Sequence, residues 1–204
     1  MVDATKGIDG KLRCKWCSSA PEFLNYHDTE WGFPVDDDFR LFEKLSLESF
    51  QSGLSWRTIL VKRENFRSAF HHFDFNKIAR FTERDIDGLL NNQGIIRHRG
   101  KVESVINNAK LAVTIVEQKG SLATYFWQYE PKKNYVVEPQ GVSTSLESIA
   151  LSKDLKKMGW KFIGPTTVYA FMQAMGLIND HVIDCVVREN VENARNKFKR
   201  PCDV

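Results

Sequence analysis

His181 and Cys185, four residues apart near the C-terminal end, carry the first chemical signal in the chain. On a helix that spacing places an imidazole and a thiol on one face, as a pair of metal ligands requires. A closed tetrahedral site needs two more ligands, and Cys14 and His27 complete a Cys2His2 set from the other end. Cys14-x2-Cys17 is an alternative half-site that would displace His27, and spacing leaves both sets open. His71, His72 and His98 lack partners at ligand spacing, and Cys202 reads as tail. A second signal is the density of rings between Trp16 and Trp31: Phe23, Tyr26 and His27 fall in a polar, proline-flanked stretch. Such rings either cap a core or line a slot for a flat ligand. Glu48 follows, with Leu47 and Phe50 as apolar neighbours, although a lone glutamate usually faces solvent. The third signal is Gly164-Pro165 at a helix start, where unpaired backbone N–H groups could receive a phosphate.

The elements that must carry these residues read as helices. Asp36 to Asp38 offer N-caps for a helix turning Phe39, Leu41, Phe42 and Leu45 inward. Gln51 to Ser55 reads as a turn, and Trp56 opens the next helix, with Ile59, Leu60, Phe66 and Phe70. Thr82 and Asp85 cap a helix that ends before Gly94. A long amphipathic helix follows Arg97 to Lys101, is punctuated by Gly120, and gives way to a short aromatic helix capped by Ser121. Thr144-Ser-Leu-Glu147 forms a capping-box pattern for a helix closed by Gly159. Pro165 opens the last of the series, which carries Val168, Phe171, Met172 and Met175 and stops at Gly176. Two helices joined by a short hydrophobic-glycine turn make a helix-hairpin-helix. Lys132 to Ser143, with the β-rich triplet Tyr135, Val136 and Val137, reads as a loop. Residues 1–12 are expected to be a flexible lead, 13–190 a single helical domain, and 191–204 a tail. Almost every periodic segment has the helical period, so the fold class is all-α.

The composition narrows the classes. At 204 residues and 42% hydrophobic, the chain can bury a substantial core. No apolar run approaches the roughly 18 residues of a membrane span, and the polar first ten residues lack a signal-peptide core. A cytoplasmic protein is expected, in which cysteines beside histidines favour metal over disulfides. A net charge of +3 permits a nucleic-acid partner without arguing for one. The basic residues cluster instead, at Arg97 to Lys101 and at Lys156, Lys157 and Lys161, beside helix ends.

Four stretches carry a family resemblance: YHDTEWG (26–32), LESFQSGLSW (47–56), GIIRHRGK (94–101) and WKFIGPTTVYAFMQAMGLINDHVIDC (160–185). In this order, between about Arg13 and Cys185, they resemble the bacterial 3-methyladenine DNA glycosylase I family, a branch of the helix-hairpin-helix glycosylases. The resemblance implies a monomeric base-excision-repair hydrolase that binds double-stranded DNA carrying alkylated bases, flips out 3-methyladenine and releases it. It implies one structural zinc per chain on Cys14, His27, His181 and Cys185, joining the two ends, and gives Cys17 no role. It makes Glu48 the catalytic carboxylate and Phe23, Tyr26 and Trp56 the base pocket, with Trp16 and Trp31 nearby. N3-methylation leaves the base cationic, which suits indole faces and a hydrogen-bond-accepting carboxylate. Phe23 departs from the tyrosine of the best-known members; stacking survives, and a hydroxyl hydrogen bond does not. DNA is expected to be gripped by the hairpin backbone at Gly164, Pro165, Thr166 and Thr167 and by the side chains of Arg97, Arg99, Lys101 and Lys161, and Leu54, from its position on the turn after Glu48, is a candidate wedge. Asn179 replaces the aspartate that the wider superfamily uses to activate water, and Asp180 reads as capping or orienting the His181 segment. No lysine follows Pro165, so no strand-nicking lyase step is expected. The competing reading is a zinc-stapled helix-hairpin-helix module that recognises damaged DNA without cutting the glycosidic bond; it has no need of a buried Glu48.

Overall fold

The computed structural model describes residues 4–132 and 138–201. From residue 4 the expected flexible lead is a paired ribbon: β1 (Ala4–Lys6) runs antiparallel to β2 (Leu12–Cys14), with Ala4 opposite Cys14. Gly10 adopts the left-handed backbone, φ +77°, that turns the chain between them. A 3-10 turn at Lys15–Ser19 leads into α1 (Pro21–Thr29), which starts on its proline.

The next helix, α2 (Asp38–Gln51), is the axis of the fold. Asp37 caps it, its side chain accepting from the Arg40 N–H at 2.8 Å. Every residue from Leu41 to Phe50 is buried, including Glu43, Lys44 and Glu48. A central helix is enclosed on all sides, so an apolar stripe underestimates its burial. Phe39, expected inward, is instead 39% exposed and lies against Phe75 on the rim.

The single helix expected from Trp56 breaks at Val61 and Lys62 into α3 (Trp56–Leu60) and α4 (Arg63–Ala69). The short α5 (Phe75–Ile78) precedes α6 (Glu83–Asn91), which opens on the expected Thr82–Asp85 capping box. The long α7 (Arg99–Lys119) is capped by the His98 ring and ends at Gly120; α8 (Leu122–Trp127) follows, capped by Ser121. Residues 133–137, with the triplet Tyr135, Val136 and Val137, lie outside the described residues. The box that opens α9 (Leu146–Lys157) is formed by Ser145 and Ser148, one residue later than the Thr144–Glu147 pattern. α10 (Pro165–Ala174) packs on α9 and α2, while α7 packs on α5, α6 and α8.

A final helix, α11 (Arg188–Lys197), occupies most of the expected tail. Val191 is fully buried, and Arg195 and Arg200 both bind Glu130, so a boundary at 190 would cut through packed structure. Cys202 lies outside the described residues. Apart from β1 and β2, every regular element among the described residues is helical, the all-α class expected. None of those helices is long and apolar enough to cross a membrane.

Candidate active site and metal centre

Cys14, at the end of β2, and His27, in α1, meet His181 and Cys185 from the far end of the chain. One ligand atom from each lies within 4.8 Å of all the others, and all four residues are buried. Cys14 Sγ is 3.7 Å and Cys185 Sγ 3.4 Å from His181 Nδ1, and Cys185 Sγ is 3.5 Å from His27 Nε2. Tetrahedral zinc bonds of about 2.3 Å to sulfur and 2.0–2.1 Å to nitrogen place neighbouring ligand atoms roughly 3.3–3.8 Å apart. The donor set and its spacing therefore fit such an ion.

The surroundings fit as well. His27 Nδ1 lies 2.7 Å from Asp28 Oδ1, leaving Nε2 toward the cluster. Arg13 holds Asp28 in turn, at 2.9–3.0 Å. Burial raises the Asp28 carboxyl, but Arg13 and His27 outweigh it and hold the group below the usual carboxylate range. His181 Nε2 lies 3.0 Å from the Trp31 carbonyl, which turns Nδ1 inward. These outer contacts orient both imidazoles for ligation.

Two expectations change. His181 and Cys185 do not share a helix; a turn brings them together, with the Cys185 N–H on the Val182 carbonyl at 2.9 Å. Cys17 is buried outside the cluster, with Ala20 and Phe23, which removes the alternative half-site.

In front of the Cys/His cluster lies a cavity of about 470 Å³, opened between α1, α2, α3 and α10. Phe23, Tyr26, Trp16, Trp31, Trp56 and Glu48 all line it, so the expected pocket residues converge. The rings brace one another: Trp16 stands edge-on to Trp31 at 5.1 Å and to Phe23 at 5.7 Å, and Tyr26 lies 5.4 Å from Trp56. Behind them, His27 and His181 touch Trp31, with centroids at 6.2 and 4.7 Å. The Cys/His cluster thus backs the aromatic wall. Trp56 Nε1 is buried without a hydrogen-bond partner, a donor available to a ligand.

Sequence reasoning missed Lys44. Its ammonium sits 2.6 Å from Glu48 Oε1, donates to the Tyr26 hydroxyl at 2.8 Å, and lies 3.4 Å from the centroid of the Trp56 ring. Burial pulls this amine below the usual lysine range, while the Glu48 carboxylate opposes that shift. The i, i+4 spacing of Lys44 and Glu48 was the available signal. Gln140 and Gln173 were also missed on the rim, where Asp180 holds both through the Gln140 N–H and the Gln173 amide. Neither Asn179 nor Asp180 lines this cavity. The Asn179 amide donates instead to the Arg188 carbonyl and Glu192, and burial raises the Asp180 carboxyl.

The residues expected to grip a phosphate backbone divide. Gly164 is the N-cap and Pro165 the first residue of α10; its ladder begins only with the Val168 N–H on Gly164, leaving Thr166 and Thr167 in the unladdered first turn. Asn108 of α7 pins the hairpin by accepting from the Lys161 N–H at 2.9 Å and donating to its carbonyl at 3.0 Å. Phe162, at φ +57°, points outward beside His98. Arg97 and Lys161 are exposed, and Leu54 is 41% exposed on the turn after α2. Arg99 is engaged by Glu83, Asp87 and Glu103. Lys101 is buried, donating to the carbonyls of Phe50 and Ser52, which withdraws it from solvent. Through Lys101 and His98, the start of α7 touches both the Leu54 turn and the hairpin.

A family model described as methyladenine glycosylase matches residues 16–189. A DNA-3-methyladenine glycosylase from Haemophilus influenzae is 48% identical over 177 residues, covering 85% of this chain and 96% of that relative. A crystal structure of 3-methyladenine DNA glycosylase I superposes with a TM-score of 0.79 at 45% identity, covering 85% of this chain and 98% of the other. A single-residue variant of 3-methyladenine DNA glycosylase I, crystallised with 3-methyladenine, matches with a TM-score of 0.80 at 39% identity, over 86% and 96% of the two chains.

Proposed function

The chain belongs to the methyladenine glycosylase family, and from that premise we propose that it hydrolytically releases 3-methyladenine from alkylated DNA in base excision repair. The observation that carries this reading is the buried Glu48 carboxylate facing a cavity walled by Trp16, Phe23, Tyr26, Trp31 and Trp56. A base flipped into this space stacks on indole and phenyl faces and donates its N–H groups to Glu48. The positive charge on an N3-methylated adenine already weakens its bond to the sugar, so recognition and placement are most of the task. Phe23 offers a face without a hydroxyl, which makes its contribution stacking alone.

No general base is needed in this reading. Asn179 is a neutral amide, and Asp180, which does not line the cavity, is committed to Gln140 and Gln173 at its rim. With Thr166 and Thr167 after Pro165 and no lysine there, the enzyme is monofunctional and performs no lyase step. Zinc on Cys14, His27, His181 and Cys185 is structural: all four positions are filled by protein, and the cross-link fixes Trp16 and Trp31 through the two histidines.

The α9–α10 hairpin is the helix-hairpin-helix element in this reading. Its free N–H groups at Thr166 and Thr167, with Arg97 and Lys161, take phosphates without reading sequence. Leu54 fills the gap left by the flipped base. Arg99 joins only by leaving its acidic partners, while Lys101 positions the Leu54 turn from within. The working unit is one domain from β1 to α11, a monomer acting in the cytoplasm on double-stranded DNA.

Chromatography of the bases released from methylated duplex DNA tests the proposal. Wild type should yield 3-methyladenine, and Glu48→Gln and Trp56→Ala should yield little. Normal excision by both variants would overturn the pocket assignment. Salt-dependent binding of wild type to that duplex with no base released would favour the non-cleaving binder.

A further inference from the structure

The cavity contains a cation of its own. Lys44 occupies a carboxylate, a phenol and an indole face together, at 2.6, 2.8 and 3.4 Å. A flat cationic base would seek the same kinds of partner. The Lys44 side chain is 7% exposed and lines the cavity, so a base set against Glu48 and Trp56 meets its ammonium. Nearby charges are already matched: Arg63 binds Glu30, and Arg67 binds Glu43. Glu48 must therefore serve two cations, its own lysine and the base.

Resting on the function proposed above, we propose that Lys44 is a catalytic residue whose fixed charge opposes the cationic base before cleavage and is relieved as that base departs neutral. The bond between the sugar carbon and the base nitrogen breaks heterolytically. Its electron pair goes to the ring and cancels the ring's positive charge, and the sugar becomes the cation. Water then adds to the sugar carbon and gives a proton to solvent. Lys44 forms and breaks no covalent bond. Attraction to Glu48 alone is strongest while the base still carries its charge, so by itself it favours the ground state. Only interactions that differ between ground and transition state change the rate. Lys44 reverses the balance by making the charged ground state less comfortable than the state in which charge has left the ring.

The test is single-turnover base release from methylated duplex with the enzyme in excess, comparing wild type, Lys44→Met and Lys44→Gln. Titrating the enzyme separates the half-saturating concentration from the rate at saturation. Both neutral variants should saturate at about tenfold lower enzyme concentration and cleave about tenfold more slowly, so that binding tightens as cleavage slows and the ratio of rate to half-saturating concentration stays near that of wild type. Lys44→Gln keeps a hydrogen-bond donor for Glu48 and Tyr26, so it reads the charge even if Lys44→Met fails to fold. Two parameters that stay unchanged, or weaken together as simple loss of packing would make them, overturn the role of Lys44. A wild type that releases no base overturns the underlying reading, and the two failures are thereby distinct.

Discussion

Replacing Glu48 by glutamine should lower stability as well as activity, because it strips the partner from a buried ammonium. Both side chains of the Lys44–Glu48 pair are 7% exposed, and the two are one turn apart in α2. Removing one member of a buried pair costs about 3–5 kcal/mol when the remaining charge is left bare. Lys44 is not left bare: the Tyr26 hydroxyl and the Trp56 face remain, and the glutamine oxygen still accepts a hydrogen bond. Cation–π contact is worth up to about 2 kcal/mol when desolvated, so a net loss of about 2 kcal/mol is expected. For a chain of this size that lowers Tm by about 4–8 °C. Lys44→Met strands the carboxylate and should lose a similar amount. The double variant removes both charges and should lose only about 1 kcal/mol against about 4 kcal/mol for additive losses, a coupling of about 3 kcal/mol. Thermal and denaturant unfolding of the four zinc-loaded proteins measures it. Losses that add within about 0.5 kcal/mol would show that Lys44 and Glu48 do not act as a buried pair.

Cys185→Ser should lose its metal and expose the segment around Lys11 and Lys15 to protease; one zinc per chain by elemental analysis would remove Cys185 from the ligand set. Lys101→Met should cost about 1–3 kcal/mol by leaving the Phe50 and Ser52 carbonyls without their donor. Its salt dependence of DNA binding should stay unchanged, whereas Lys161→Ala should reduce the salt slope by about 1. The reverse pattern would return Lys101 to the phosphate contacts. Asn108→Ala removes both hydrogen bonds to the Lys161 backbone and should weaken binding to methylated and undamaged duplex alike. Unchanged binding in gel-shift titrations would count against the hairpin as the grip.

Much of the site was legible because its signals are local or compositional. The Cys and His residues stand out by type, the aromatic stretch by density, and the caps at Thr82 and Ser121 and the helix-opening Pro165 by adjacent residues. The α9 box slipped by one residue because Ser145 and Ser148 offered the same chemistry as Thr144 and Glu147. The order of β1–β2 and α11 is not legible locally for a different reason: it comes from contacts with distant segments, such as the Val186 N–H on the Leu12 carbonyl and Arg195 on Glu130.

By itself the sequence determined the helical class, the candidate metal ligands, and a carboxylate in the company of rings, since each rests on residue type and short spacing. Tertiary structure alone decided which charges are used up. Lys44 meets Tyr26 and Trp56, Lys101 meets carbonyls about fifty residues away, and Arg99 meets Glu83 and Asp87. It also separated Cys14 from Cys17 as the partner of His181. Desolvation and pairing depend on what is brought near from elsewhere in the chain, and no local pattern carries that information.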